Sequence, residues 1–284
     1  MKSELIFEAG SAEEAYSTPV LDRKNKRSPE IASVILYEYP FNERLRTYLR
    51  LEQLFRQLGE LLERESALDH HFALSVLFQL MDVASRADLK ADVLKDLERQ
   101  KQLLDSYRGN PSISEEMLDH IIGRLDSAFS ALNTQNGKTG QSLTENDWLM
   151  SVRSRMNIPG GTCGFDLPAY YTWQHLPGEQ RRADLHRWAS CMMPLSEALF
   201  LLLGLLRDTG VPQKVAATRG HFQQYLPSGR SFQLLRLRID PALNLVPEIS
   251  GNRLMVSVRL MRPDDTGKLQ STTEEAAFEL TLCA

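Results

Sequence analysis

The sequence predicts an α+β chain, with a large, mainly helical domain followed by a smaller C-terminal antiparallel β-sheet domain. From about residue 42 to 208, apolar residues recur at spacings of three and four, the period of an amphipathic helix; beyond Gly210-Val211-Pro212 the period changes to two, that of a half-buried strand. Length and composition agree: 284 residues exceed the roughly 150 typical of one domain, and 42% apolar with 25% charged residues is ordinary globular content.

Residues 1–33 mix small, acidic and basic residues without periodicity, and we read them as a flexible N-terminal extension. The mainly helical domain is expected over 34–210. Its first helix runs from Asn42 to Arg64, with Leu45, Leu49, the Leu51/Glu52 step, Phe55, Leu58 and Leu62 on one broad stripe and Asn42 as cap. Helices follow at about Asp69–Ser85, at Asp88–Tyr107, which stops at the breaker Gly109-Asn110-Pro111, and at Ser114–Ala131 with Ser114 as cap. A short helix is expected over Thr144–Arg155, and a last one over Gly178–Asp208. The last contains "ALFLLLGLL", apolar all round and so placed centrally in the core. That run is about half the ~20 residues that cross a bilayer, and no early signal-peptide pattern is present, so a soluble, cytoplasmic protein is expected.

The β-domain is expected over 211–284. In "SFQLLRLRID", Leu235, Leu237 and Ile239 face one way and Leu234, Arg236 and Arg238 the other. In "NRLMVSVRLM", Leu254, Val256, Val258 and Leu260 alternate with Arg253, Met255, Ser257 and Arg259; "AAFELTL" alternates Ala276, Phe278, Leu280 and Leu282.

Candidate chemistry centres first on "IPGGTCGFDLPAYYTWQHLP" (158–177). Cys163 with Asp166 and His175 downstream suggests a thiol nucleophile, but no nucleophile signature surrounds it. The glycines lack phosphate-loop spacing, and Lys138-Thr139 lacks the leading glycine of that motif. His70-His71 diverge on adjacent positions, and His120, His186 and His221 are scattered, so no metal is expected. The stretch reads instead as a scaffold joint: Gly160-Gly161 opens backbone conformations closed to other residues, Pro159 and Pro168 block helix continuation, and Phe165, Leu167, Tyr170, Tyr171 and Trp173 pack it.

Charge is more telling. The whole chain carries −4, yet Val211–Arg262 holds eight basic residues (Lys214, Arg219, Arg230, Arg236, Arg238, Arg253, Arg259 and Arg262) against only Asp240 and Glu248. Arg46 and Arg50 stand one helical turn apart, and Arg153 and Arg155 precede the joint. Such a distribution points to an acidic ligand. An acidic peptide fits a modest local patch better than nucleic acid, for which no RNP1-type strand or zinc-finger pattern exists; nucleic-acid binding by the basic strands is the alternative.

Five segments in order, "ILYEYPFNERLRTYLRLEQLF", "SRADLKADVLKDLERQ", "RGNP", "VRSRMNIPGGTCGFDLPAYYTW" and "PEISGNRLMVSVRLM", resemble the ZapD family of bacterial cell-division proteins, from about Val34 to the C-terminus. The resemblance implies a non-enzymatic, cofactor-free cytoplasmic protein recruited to the mid-cell division ring. It further implies a homodimer that takes up the C-terminal tail of the tubulin-like GTPase FtsZ on a basic surface and bundles its filaments, without inserting into membranes. In the matching segments Arg46, Arg50, Arg86, Arg153, Arg155, Arg253 and Arg259 are the expected tail contacts, with Lys214, Arg236 and Arg238 as second choices. The dimer interface is sought first on the early helices, where Leu51, Leu54 and Leu61 supply apolar residues for a second face.

Overall fold

The computed structural model describes residues 34–86 and 88–284; the expected extension at 1–33 lies outside them. The chain forms two compact units, Glu43–Leu206 and a second built from residues up to Asn42 together with Arg207–Ala284.

The helical unit holds α1 (Glu43–Leu62), α2 (Ala67–Ala84), α3 (Leu89–Asp105), α4 (Glu115–Thr134), α5 (Gln141–Thr144), α6 (Asp147–Met156), α7 (Pro168–Gln174), α8 (Gly178–Ala189) and α9 (Met193–Asp208), which runs on into the second unit. Local chemistry sets several starts. Ser66 accepts from the Asp69 amide at 3.0 Å, Ser114 from Met117 at 3.3 Å and Asn146 from Leu149 at 3.0 Å, each satisfying a first-turn N–H that has no partner within its helix. Asn146 also sets the start of α6, which is the helix expected over Thr144–Arg155; the single turn α5 just before it, closed at Glu145, is not among the expected helices. The helix expected over Gly178–Asp208 is likewise broken, by a 3-10 turn at Ser190–Met192. Pro194 has no N–H to return to the preceding turn, so the α-helix stops and restarts there. By length and composition this 31-residue segment could cross a membrane. In the fold, Leu195, Ala198, Leu199, Leu202, Leu203 and Leu206 are buried, the behaviour of a core helix.

Helix α1 packs on α2, and α3 on α4. Leu51 is fully buried inside the chain, which corrects its assignment to a second face; Leu54 and Leu61 are half-buried. Two polar knots fix the helices. The Tyr48 hydroxyl donates to Asp96 Oδ2 at 2.9 Å, while Arg44 and Arg99 stand 3.3 and 3.2 Å from Oδ1, joining α1 to α3. Buried Arg181 on α8 donates to His70 Nδ1 at 3.0 Å, to Glu65 O at 2.6 Å, to Gln174 O at 3.1 Å and to Leu176 O. With Nδ1 accepting, His70 is neutral and gives its Nε2 proton to Arg64 O at 2.9 Å. Burial first, then the charges of Arg181 and Arg182, holds its pKa below the usual imidazole value.

The second unit contains, among the described residues, eight strands: β1 (Ile35–Pro40), β2 (Gln213–Ala217), β3 (His221–Tyr225), β4 (Leu234–Ile239), β5 (Val246–Gly251), β6 (Met255–Pro263), β7 (Leu269–Ser271) and β8 (Ala276–Cys283). They form two four-stranded antiparallel sheets, one ordered β1-β4-β8-β2 and the other β3-β6-β5 with β7 also on β6. Leu235, Leu237, Ile239, Phe278 and Leu280 from the first sheet and Val256, Val258 and Leu260 from the second share one core. Phe222 meets Phe278 edge-on across it, at 5.5 Å. The inward residues of β4, β6 and β8 are those the alternation predicts, except Leu254, which precedes β6 in a turn and is 72% exposed.

The structure also differs from the expected boundary. Residues 34–42, assigned by sequence to the helical domain, supply β1, which pairs with β4 from Ile35↔Ile239 to Pro40↔Leu234. Strand partners are chosen by register and shared core, not by proximity along the chain; Tyr37 and Tyr39 reach the sheet core from β1.

Candidate peptide-docking surface

The arginine-bearing strands show two different fates. On the outer side of the β1-β4-β8-β2 sheet, Glu38 of β1 lies opposite Arg236 of β4. Its carboxylate accepts from Arg236 Nε at 3.0 Å and, through both oxygens, from Arg207 at 2.8 and 2.7 Å. All three side chains are at most 20% exposed. Arg238 lies opposite Glu279 of β8 and pairs with it at 3.5 Å. Lys214 sits in register with the same Glu279, on the exposed edge strand β2.

The outer side of the β3-β6-β5 sheet is different. Three rows cross it: Tyr225 beside Met255; Gln223, Ser257 and Ser250; and His221, Arg259 and Glu248. Arg259 reaches Glu248 only at 3.6 Å, with both side chains more than half exposed. Arg253 and Leu254 form the tip of the β5–β6 turn, where Asn252 Oδ1 accepts from the amides of Leu254 at 2.8 Å and Met255 at 3.1 Å. Arg253 is exposed and has no ion-pair partner among the described residues. Tyr225 and Leu254 are 76% and 72% exposed, and the Leu226 amide donates to Leu254 O at 2.8 Å, tying the two residues' segments together. The face therefore offers an unpaired guanidinium, a loosely paired one, an aromatic ring, a leucine and two half-buried methionines (Met255 and Met261). Chemically, that combination is complementary to an extended segment bearing both carboxylates and apolar side chains. Tyr225 and Leu254 are the residues sequence reading missed. For Leu254 the "GN" turn before Arg253 carried the signal, since an Asx turn lifts the residues after Asn out of the sheet; for Tyr225 nearby sequence carries none.

Five expected contacts belong to the helical unit. On α1, Arg46 is held by Glu43 at 3.0 Å, whereas Arg50 one turn on is exposed with no ion pair among the described residues. Arg153 of α6 is bound to Asp82 of α2, and Arg155 stands 3.9 Å from Asp166. Arg86 is exposed after α2 and lines a cleft with Lys90 and Lys138. The basic excess of Val211–Arg262 is smaller on the surface than along the chain. Glu38, Glu279 and Glu274, all from outside that window, pair with Arg236, Arg238 and Arg262.

The 158–177 stretch is a packed joint at some positions and open at others. Tyr170 and Trp173 are buried and join Trp148 and Trp188 in an aromatic cluster, with Trp148 stacked on Trp188 at 5.1 Å and Tyr170 on Trp173 at 5.9 Å. The Tyr170 hydroxyl lies 2.6 Å from His71 Nδ1. Phe165 and Tyr171, expected to pack here, are 85% and 51% exposed. Pro168, expected only to stop a helix, starts α7, whose first turn needs no N–H from it. A Cβ at Gly161 would lie 2.5 Å from Arg155 O, so the turn closes too tightly for a side chain. Cys163 is exposed, and His175 is engaged elsewhere, its Nδ1 2.8 Å from Tyr171 O and its ring on the Tyr171 ring. Among the described residues no hydrogen bond joins Cys163 to His175, and no cluster of three or more metal-ligating side chains forms.

Comparison with known proteins adds a family. The ZapD family model, described as "Cell division protein", matches residues 49–259. "Cell division protein ZapD" of Ralstonia nicotianae is 51% identical over 251 residues, covering 88% of this chain and 99% of the relative. The protein of the same description from Ralstonia pickettii is 50% identical over the same coverage.

Proposed function

We propose that this chain, which belongs to the ZapD family of cell division proteins, works by docking the C-terminal tail of FtsZ on the outer side of its β3-β6-β5 sheet. What supports this reading is one juxtaposition: unpaired Arg253 beside exposed Leu254 and Tyr225 at one end of the face, with weakly paired Arg259 two rows further along the same face. Exposed ion pairs contribute only about 0.2–1 kcal/mol each, so the carboxylates of a tail orient it and the apolar anchors hold it. Arg50 and Arg46 on α1 offer a second basic element, and Lys214 a third. As a two-fold dimer, the protein presents two equivalent docking surfaces, and a filament presents a tail on every subunit. Weak contacts then add as avidity, and one dimer cross-links two filaments. On this reading the protein acts in the cytoplasm at the division ring, with no catalytic step of its own.

Co-sedimentation with polymerised FtsZ, beside FtsZ truncated before its tail, tests the reading. Pelleting and bundling with the intact partner alone is expected; equal pelleting with both, or with neither, overturns tail docking. Sedimentation equilibrium tests the dimer. Leu61→Glu, at a half-buried position, is expected to yield folded monomers if α1 forms the interface.

A further inference from the structure

A segment with the chemistry that the β3-β6-β5 face calls for is carried on this same chain. From Glu4 to Asp22 the sequence holds five carboxylates (Glu4, Glu8, Glu13, Glu14 and Asp22) and no lysine or arginine. Two apolar groups are interleaved with them, Leu5-Ile6-Phe7 and Tyr16 with Val20 and Leu21. These residues lie outside the described part of the molecule, yet their composition matches the face. The carboxylates suit exposed Arg253 and, two rows on, Arg259; the apolar side chains suit exposed Tyr225 and Leu254. The stretch that follows, Arg23-Lys24-Asn25-Lys26-Arg27, has the opposite sign. An arginine-bearing face therefore attracts residues 4–22 and repels the spacer behind them.

The tether is long enough to bring the two together. Strand β1 belongs to the same compact unit as this sheet. It runs into Phe41, and a Cβ on Gly251 would lie 2.7 Å from Phe41 Cε1. Gly251 closes β5 just before the turn that presents Arg253, so the end of β1 stands beside that turn. Strand β1 has 6 residues, which puts Val34, immediately before it, at most ~25 Å from Phe41 at ~3.4 Å per residue. The spacer 23–33 spans up to ~36 Å when fully extended. Asp22 thus reaches the Arg253 turn within one chain.

We propose that residues 4–22 dock on this face in the same chain and compete with the FtsZ tail for it; the competition, though not the contact itself, rests on the tail-docking reading. Tethering gives the segment an effective concentration on the order of mM, so a single tail arriving from solution meets an occupied face. A filament presents many tails, and their avidity displaces the segment where one tail does not. The segment thereby favours assembled FtsZ over free subunits. It precedes Val34, where the family resemblance starts, so the device is additional to what the family shares. Because both occupants use Arg253, the effect of an Arg253 substitution on tail affinity is read in a variant whose segment has been released.

Photo-cross-linking of the full chain, with no FtsZ present, tests the contact. Tyr16→p-benzoylphenylalanine is expected to give links within one chain to Tyr225, Leu254 or Met255, mapped by mass spectrometry. Adding Arg253→Glu should cut their yield several-fold. Links to other parts of the chain only, links between chains (a doubled mass on a denaturing gel), or no links at all overturn the proposal. Fluorescence anisotropy of a labelled FtsZ-tail peptide then tests the competition. The variant E13Q/E14Q/Y16A should unfold as the parent chain does and bind the peptide at least threefold more tightly; equal affinity overturns the competition. A peptide that binds neither form overturns the tail-docking reading and the competition with it, while the cross-link still decides whether the segment covers the face.

Discussion

The two outer sheet faces of the β unit start from the same sequence pattern, arginine alternating with apolar residues, and end in opposite states. On the β1-β4-β8-β2 face, Arg236 shares Glu38 with Arg207 at no more than 20% exposure, and Arg238 has Glu279 as its cross-strand partner. On the β3-β6-β5 face, Arg253 has no acid and Arg259 has one at 3.6 Å, in the open. Arg207 and Arg236 are committed to holding β1 and the end of α9 onto the sheet, and Arg238 has only a loose cross-strand pair; Arg253 is available to something else. Whether an arginine on a strand is buried in an ion cluster or left open thus depends on which carboxylates the fold brings to it and how deeply.

The largest test of this contrast is Glu38→Gln. Removing one partner of a half-buried charge cluster leaves Arg207 and Arg236 without that carboxylate, and we expect a loss of about 3 kcal/mol in urea unfolding of the full chain. A loss below ~0.5 kcal/mol would erase the distinction between the faces. Next, Arg253→Glu is expected to leave unfolding unchanged and to weaken FtsZ-tail binding about tenfold, ~1.4 kcal/mol, with a shallower salt dependence. Tyr225→Ala should lower tail affinity comparably but without altering the salt dependence, since it removes an apolar anchor and no charge. Smaller still is Glu248→Gln, which releases Arg259; tail affinity should rise a few-fold while stability moves by about 0.5 kcal/mol or less. Arg238→Gln should change neither tail binding nor stability by more than about 0.5 kcal/mol, because its pair is 3.5 Å long and half exposed. A tenfold loss of tail binding in Arg238→Gln would move the docking surface to the other face.

Much of the fold was legible because its signals are local. Ser66, Ser114 and Asn146 act within one turn, and the alternation in β4, β6 and β8 follows from the pleat of each strand alone. The elements that escaped lack such signals. Strand β5 contains Pro247 and ends at Gly251, acceptable because it is an edge strand but misleading in sequence. Strand β3 reads "HFQQY", with one apolar side chain committed to the core. The turn between β2 and β3 places both Arg219 and Gly220 at positive φ, 51° and 71°, and carries the chain from one sheet to the other. Of the candidate site, the arginines themselves were legible and their neighbours were not, because neither the exposure of Tyr225 nor the pairing of Arg236 is a property of nearby sequence.

By itself, then, the sequence determined the α+β class, the helical period, the inward residues of the main strands and the family segments that run through both units. Periodicity and capping are written within a few residues, and hydrophobic burial reads them directly. Only the tertiary structure decided that Ile35–Pro40 pair with the distant strand Leu234–Ile239, that Leu51 is core and Leu254 surface, and which arginines meet a carboxylate. Those outcomes depend on which carboxylate or apolar surface arrives opposite a side chain, and strand register and helix packing, not chain order, bring them there.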